Sequence, residues 1–478
     1  MQDAPAYGPL TDDIIAQFTS IVGAEHAITD PQMQTPYLQE WRGLYTGVAP
    51  LIVRPGSVQE VAEVLKIANA NRIPVVPQAG NTGLVGGQTP HTTNTEIVIT
   101  VERLRKVRSA DPDGNTLTVD AGVTLAECQA AAAEIDRLFP LSLPSEGSCR
   151  IGGNIATNAG GVGVLAFGNT RQLIMGIEAV LPDGRILNDL NTLKKNNTGY
   201  DLKNLFIGSE GTLGIVTGAV LKLFPLPKEK ATAMVALSEL DHAIALLAHM
   251  QQRGGGALTA FEFIPRNVAE MVFRHIDGAR DPFEVPHPWY VLTEFSGMKA
   301  DGTTNELMES VLMEAAENAL ILDAVIAGSV QQAKDLWTIR EGISEAQNHE
   351  GASIKHDISV PVNKIPEFLQ KANRQILELC PDARPVPLGH FGDGNVHYNI
   401  AQPIGMEAAK FREYSKAFAE ITYAVVGEMG GSISAEHGIG RIKKDALRQT
   451  KDPVALEMMH QIKQLFDPNG IMNPGKVF

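Results

Sequence analysis

The sequence predicts an α+β protein of more than one domain, and three observations carry that expectation. Its 478 residues exceed what one hydrophobic core ordinarily serves. Strand-like and helix-like runs alternate near its start, and a differently ordered set resumes after the charged, proline-containing stretch "PLPKEK" at residues 225–230. With 44% hydrophobic and 20% charged residues, the composition is that of a folded chain.

The first elements read strand, helix, strand. "LIVRP" (51–55) is strand-like, Val61, Val64, Leu65 and Ala68 recur at helical spacing, and "IPVVP" (73–77) returns to strand character. The glycine-dense "GNTGLVGGQTP" (80–90) follows, then strands "EIVITV" and "TLTVDAGVT", then the helix "LAECQAAAAEI". A second glycine-dense tract, "PSEGSCRIGGNIATNAGGVGVLAFGN" (144–169), precedes strands in "IMGIEAVLPDGRIL", with a Pro-Asp-Gly turn, and in "GTLGIVTGAVLKLFP". Beyond the linker, "ATAMVALSEL", "DHAIALLAHMQQRGG", "LTAFEFIP" and "RNVAEMVFRHI" give a β-α-β-α order, continued by the strand "PWYVLTEFSG" and the helix "NELMESVLMEAAENA". That order suits one antiparallel sheet with helices on one face. The chain ends in an amphipathic helix and a turn-rich tail.

Several function classes are disfavoured at this level. A net charge of −15, with no dense Lys/Arg run, argues against nucleic acid or an anionic membrane as partner. No apolar run approaches the roughly 18 residues of a membrane span. Cys128, Cys149 and Cys380 form no CxxC pair, which suits a reduced compartment. The start "MQDAPAYGPLTDDI" has neither signal-peptide nor transit-peptide character, so a cytoplasmic location is expected. No GxxxxGK[ST] is present, and "GVGVLA" (161–166) follows no strand and opens no clear helix, so nucleoside triphosphate and Rossmann sites are set aside.

The stretch "GHFGDGNVHYN" (389–399) carries candidate chemistry. Its glycines oppose a helix, and Asp393-Gly394 reads as a two-residue hairpin loop. Counting outward pairs Gly392 with Asn395, Phe391 with Val396, and His390 with His397. Opposed residues in an antiparallel pair have Cβ atoms roughly 4.5–5.5 Å apart, so the two imidazoles are candidates to grip one ion. Glu436, in "SISAEHGIG", is a third candidate ligand, and its neighbour His437 points the other way if the segment is extended. Two histidines and a carboxylate suit zinc or another first-row ion. A metal-dependent hydrolase using this set without a redox cofactor is one reading of it.

Three tracts, "PQAGNTGLVGG" (77–87), "PSEGSCRIGGNIATNAGG" (144–161) and "GYDLKNLFIGSEGTLGI" (199–215), resemble in order and spacing the flavin-contacting segments of the FAD-linked oxidase family that includes vanillyl-alcohol oxidase. "GHFGDGNVH", "SAEHGIGR" and "MNPGK" resemble the C-terminal motifs of its D-2-hydroxyacid dehydrogenase branch, so the resemblance spans nearly the whole chain. It implies a two-part FAD-binding domain of the vanillyl-alcohol oxidase type over 1–225, an α+β substrate domain built on an antiparallel sheet over 226–430, and a C-terminal helical segment over 431–478 that returns to the flavin.

By the same resemblance, Pro77, Gln78 and Ala79 lead into Gly80, Asn81, Thr82, Gly83 and Leu84, which would cradle the pyrophosphate. Pro144, Gly147, Gly152, Gly153, Asn154, Thr157, Gly160 and Gly161 would line the flavin and its ribityl chain. Glu210, Gly211 and Ile215 would lie by the adenosine end, and Asn473 would reach the isoalloxazine. Members with covalent flavin often carry a His in the first loop, where this chain has Asn81, so non-covalent FAD is expected.

The resemblance also implies that His390, His397 and Glu436 hold a divalent metal, zinc or alternatively manganese, and that His437 is the catalytic base. The stretch "LWTIREGISEAQNHEGASIKHDISVP" is similar to the substrate-binding pattern of the branch's D-2-hydroxyglutarate-oxidising members. It places Arg340, Ser344 and Lys355 at the substrate, with Asn399 as a further contact; Ser344 stands where threonine is expected. Two cations for two carboxylates favour D-2-hydroxyglutarate over D-lactate or glycolate. An electron-transfer flavoprotein or quinone pool is the expected acceptor and a homodimer the candidate assembly. A degenerate subunit that binds flavin only to assemble is a further alternative.

Overall fold

In the computed structural model, residues 7–478 are described; residues 1–6, which open the stretch read above for a leader, lie outside the described residues. The chain divides into two units. Of the described residues, one comprises 7–160, 168–225 and 436–478, the other 161–167 and 226–435.

In the first unit, strands Ala27–Ile28, Ile52–Val53, Ile97–Thr100 and Val75–Gln78 form a sheet in that order. The last three are parallel, so residue 53 must cross over to residue 75. Helix Val58–Ala70 makes the crossover, burying Val61, Val64, Leu65 and Ala68, the stripe expected from the sequence, and Ala62 beside it. Its start is set by Ser57, whose side chain accepts from the Glu60 N–H. A second, antiparallel sheet runs Val107–Asp111, Thr116–Asp120, Ile215–Lys222, Ile174–Val180, Ile186–Asp189.

Two elements here escape pattern reading. Strand Val107–Asp111 is exposed along its whole length, so it shows no apolar alternation. It is an edge strand, with Arg108 paired to Asp120 and Glu178. Helix Ile151–Thr157 carries two glycines that propensity disfavours. Packing overrides the propensity, because a Cβ on Gly152 would lie 2.9 Å from the Ala121 Cβ.

The second unit is built on an antiparallel sheet ordered Asp323–Ile326, Glu229–Leu237, Trp289–Gly297, Leu258–Pro265, Gly389–His390. A smaller antiparallel sheet, Ser353–Ser359, Asn395–Ala401, Arg384–Pro385, accompanies it. Helix Ile365–Leu379 buries Phe368, Leu369, Ala372 and Ile376, and its Asn373 Oδ1 accepts a 2.8 Å bond from the Tyr398 hydroxyl.

The C-terminal tail of the first unit is anchored by charge. Lys476, 1% exposed, donates to Glu96 at 2.7 Å, and Glu96 also accepts from the His91 N–H. Lys463 Nζ donates to the carbonyls of Thr212 and Met472, both at 2.8 Å, and pairs with Asp467. Removing one member of a buried pair strands the other, at roughly 3–5 kcal/mol. Lys476→Met is therefore expected to lower the thermal midpoint markedly. Lys476→Met combined with Glu96→Gln, which keeps an acceptor for His91, should recover most of the loss. Equal losses in the two proteins would show that the pair is not the anchor.

Candidate active site

In the first unit the glycine tracts come together around the end of strand Val75–Gln78. A Cβ on Gly80 would fall 2.3 Å from the Ser148 carbonyl oxygen, one on Gly153 would meet Ala79 at 3.2 Å, and one on Gly211 would meet Pro77 at 2.9 Å. A side chain at Gly80 or Gly211 would force a neighbour to move, and one at Gly153 would be tight. Asn81, Glu210 and Asn473 hold left-handed backbone, φ 54°, 51° and 46°. Gln78 is buried and donates to the carbonyls of Tyr37 and Gln88. Thr82, Gly83 and Leu84 continue the first loop, Pro144 and Gly147 are exposed on the next, and Thr157 closes helix Ile151–Thr157 that carries Asn154. Gly160 and Gly161 are buried, the latter at the start of the short segment belonging to the second unit.

Asn473 links three of these segments. Its N–H donates to the Val75 carbonyl at 2.7 Å, and its Nδ2 donates to the carbonyls of Gly87 (3.0 Å) and Glu210 (2.8 Å). Glu210, expected at the adenosine end, has each polar group bonded within the protein. Its carboxylate accepts from the N–H groups of Ile439 (2.7 Å) and Gly440 (2.8 Å), and its N–H donates to Ala156. It therefore holds the turn that carries Glu436 and His437. Burial pushes the Glu210 carboxyl up to about 7, against the lowering effect of the two N–H donors and Lys443.

The second unit contains the substrate candidates. Arg340 ends helix Val330–Glu341, and Ser344, in the following helix Ile343–His349, is exposed. Lys355 lies on strand Ser353–Ser359, opposite Asn399, and Asp357 lies opposite His397. Opposed residues, and those two apart on one strand, share a face, so Lys355, Asp357, His397 and Asn399 line one surface. Asn399 is held by a 3.0 Å bond from its Nδ2 to Gln347 Oε1.

The expected hairpin register is corrected. Residues 391–393 form a 3₁₀ turn, Gly394 is left-handed with φ 86°, and His397 pairs with Leu388, not with His390. His390 instead pairs with Glu262 across the larger sheet. A Cβ on Gly394 would meet the Val360 carbonyl at 2.3 Å, so packing outside the turn dictates its shape. The two imidazoles still approach, with ring centroids 5.4 Å apart. One ligand atom each from His390, His397 and Glu436 lie within 4.8 Å of one another, as do those of Asp357, His397 and His437. Glu436 and His437 follow directly on Ala435 in a bend, not an extended strand, and the two groupings share His397.

Two buried carboxylates, Asp357 and Glu262, join the sequence-derived candidates. Asp357 accepts from Asn395 Nδ2 at 3.0 Å. Glu262 accepts from His390 Nδ1 and Arg340 Nε, both at 2.8 Å. Burial raises its carboxyl, but His390 and Arg340 outweigh burial and hold it below the usual range. An acidic residue inside the apolar run "LTAFEFIP" was the signal available.

Residues 49–189 match the family model for an FAD binding domain, and residues 226–477 match that for the C-terminal domain of FAD linked oxidases. The chain belongs to the FAD-linked oxidase family. Among curated relatives, it is 38% identical over 480 residues to "Probable D-2-hydroxyglutarate dehydrogenase, mitochondrial" of Oryza sativa subsp. indica, covering 100% of this chain and 84% of the relative. It is 38% identical over 473 residues to the D-2-hydroxyglutarate dehydrogenase of Xanthomonas citri pv. viticola, covering 98% of both. Among solved structures, p-cresol methylhydroxylase shares its fold at a TM-score of 0.76 and 17% identity, over 99% of this chain and 98% of that one. Alkyldihydroxyacetonephosphate synthase does so at 0.74 and 17%, over 99% and 87%. Both likenesses show the fold, a vanillyl-alcohol oxidase type arrangement of FAD-binding and cap parts.

As an FAD-linked oxidase, the chain is a flavoenzyme, and the flavin-free hydrolase reading falls. The cytoplasmic expectation is also overturned, because the rice, Arabidopsis thaliana and rat relatives are named mitochondrial. Composition and buried cysteines are alike in any reduced compartment, so they carry no address. Among the described residues no helix is long and apolar enough to cross a membrane.

The first unit fits FAD on its own geometry. The Oδ1 atoms of Asn81 and Asn473 are buried without a hydrogen-bond partner among the described residues, beside loops where a Cβ would close the space. Gly80→Ala should separate the 79–84 and 145–149 turns and weaken FAD binding by at least about tenfold, or ~1.4 kcal/mol. The ratio of flavin to protein absorbance measures this; a full complement of flavin would refute it.

Glu210 also generates a pH dependence. Between the ordinary range near 4.3 and the folded value of about 7, the unfolded chain sheds a proton that the folded one keeps. Stability is thus greatest below that window and falls as pH rises through it, by roughly 3 kcal/mol. Glu210→Gln should flatten this slope in denaturation midpoints measured from pH 4.5 to 7.5, roughly the span over which the two states differ in protonation.

Proposed function

We propose that the chain oxidises D-2-hydroxyglutarate to 2-oxoglutarate, with Arg340 and Lys355 holding the two carboxylates and His437 accepting the hydroxyl proton. His390, His397 and Glu436 are the proposed ligands of a divalent ion, zinc or manganese. The donor set fits such an ion, since two neutral imidazoles and one carboxylate leave positions open for other ligands. When bound, FAD supplies the hydride acceptor and the ion a Lewis acid that favours loss of the hydroxyl proton.

The observation that carries this reading is the register of strands Ser353–Ser359 and Asn395–Ala401, which sets Lys355 opposite Asn399 and Asp357 opposite His397. A second cation thus lies on the same face as an ion ligand, which suits a diacid better than lactate. The relatives from plants, rat and Xanthomonas citri are named for the same substrate.

The parts divide by chemistry. The planar fork of Arg340 suits a bidentate grip on one carboxylate, while Lys355 supplies a point charge for the other. Asn399, fixed by Gln347, is a further contact, and the exposed Ser344 a weaker one. A neutral imidazole at His437 takes the proton as the C–H bond is lost, because a histidine's pKa lies near working pH. Asn81 has no nucleophile to offer the flavin, so FAD is held without a covalent link. An electron-transfer flavoprotein or the quinone pool is the proposed final acceptor.

A charge-assisted bond contributes roughly 1.5–3 kcal/mol. Lys355→Ala should therefore lower kcat/KM for D-2-hydroxyglutarate roughly 10- to 100-fold more than for D-lactate, in steady-state assays with an artificial acceptor. Equal losses on both substrates would shift the reading to a monoacid. Anaerobic addition of D-2-hydroxyglutarate should bleach the visible flavin band, and prior chelation should abolish the bleaching, with recovery on adding zinc or manganese. Bleaching unaffected by chelation would remove the ion from the reaction.

A further inference from the structure

Glu262 lies on strand Leu258–Pro265, among Ala260, Phe261, Phe263 and Ile264, each at most 1% exposed, and is itself 1% exposed. An ionised carboxylate in such surroundings is costly unless both oxygens are bonded. Here one oxygen accepts from His390 Nδ1 and the other from Arg340 Nε. The strand register opposes Glu262 to His390 directly, and Phe391 is packed against Phe261 and Phe263, at 5.9 Å between centroids in each case. The His390–Phe391 turn is thus held on one side by the carboxylate and on the other by two aromatic rings.

An ionised carboxylate accepts and cannot donate. The proton of a neutral His390 therefore sits on Nδ1, which leaves the lone pair on Nε2, as a metal ligand requires. The same carboxylate holds the Nε edge of Arg340 and so orients its two terminal nitrogens.

We infer that Glu262 is a positioning residue for the reaction proposed above, setting the His390 tautomer at the ion site and aiming the Arg340 guanidinium at the substrate carboxylate. The inference rests on the reading of His390 as an ion ligand and Arg340 as a substrate contact. It predicts that the ion grip and the substrate grip are coupled through one buried group.

Glu262→Gln discriminates because an amide has a single acceptor oxygen. If that oxygen stays with His390, the amide NH₂ faces the Arg340 donors. If it turns to Arg340, the NH₂ faces Nδ1 and drives the proton onto Nε2, where the ion would bind. Metal-stripped flavoprotein is titrated with zinc against a chromophoric chelator, and KM for D-2-hydroxyglutarate is measured at saturating zinc. The variant should bind zinc roughly 10- to 100-fold more weakly and show a raised KM.

Wild-type protein that binds no zinc would overturn the underlying reading of the ion site. Wild-type binding with an unchanged zinc affinity and KM in folded Glu262→Gln would overturn the inference alone. Should the variant not fold, long-range ¹⁵N correlation spectra of histidine-labelled, metal-free wild type decide it. The His390 signals, assigned by their loss in His390→Asn, should report a proton on Nδ1; a proton on Nε2 refutes the inference.

Discussion

A carboxylate shut away from water must have both oxygens bonded, and the second unit is organised around one such demand. Glu262 interrupts an apolar strand, and among the described residues its two oxygens are bonded by His390 on one side and Arg340 on the other. These partners come from distant elements, the 390s turn and the end of helix Val330–Glu341. Their positions are therefore not independent, since neither can move without leaving a buried oxygen unbonded. The neighbouring strand pair, with Lys355 opposite Asn399 and Asp357 opposite His397, adds a surface whose polar side chains are set by register.

The first unit solves a different problem, that of leaving room. Its glycines serve where neighbours come closer than a Cβ permits, as at Gly80 against the Ser148 backbone and Gly211 against the Pro77 ring. Loops this close need ties, and Asn473 and Glu210 provide them by bonding to main-chain groups of several segments. The tail that brings Asn473 into place is itself fixed by the buried pair Lys476 and Glu96 and by Lys463. Cofactor cradle and C-terminal tail are thus one construction, although residues 226–435 lie between their parts in the chain.

Periodicity served well where burial is one-sided and repeated. Helix Val58–Ala70 and the central strands of both five-stranded sheets follow the apolar runs of the chain. It failed where packing outweighs local preference. Helix Ile151–Thr157 forms through two glycines because Ala121 leaves no space for a side chain at Gly152, and strand Val107–Asp111 is an exposed edge with no apolar face to detect. The hairpin around Asp393-Gly394 shows the same limit. Turn chemistry located the bend correctly, yet the pairing slips because His390 is drawn into the larger sheet by Glu262.

The order of residues by itself determined the family, through glycines, prolines and histidines whose types and order are demanded locally by loops and ligands. It also named the ion-ligand candidates and the two cations for a diacid. Tertiary structure alone decided which polar groups answer one another. Hydrogen bonds such as that from His390 Nδ1 to Glu262 join residues 128 apart in the chain, and no local propensity records a partner that only folding brings within reach.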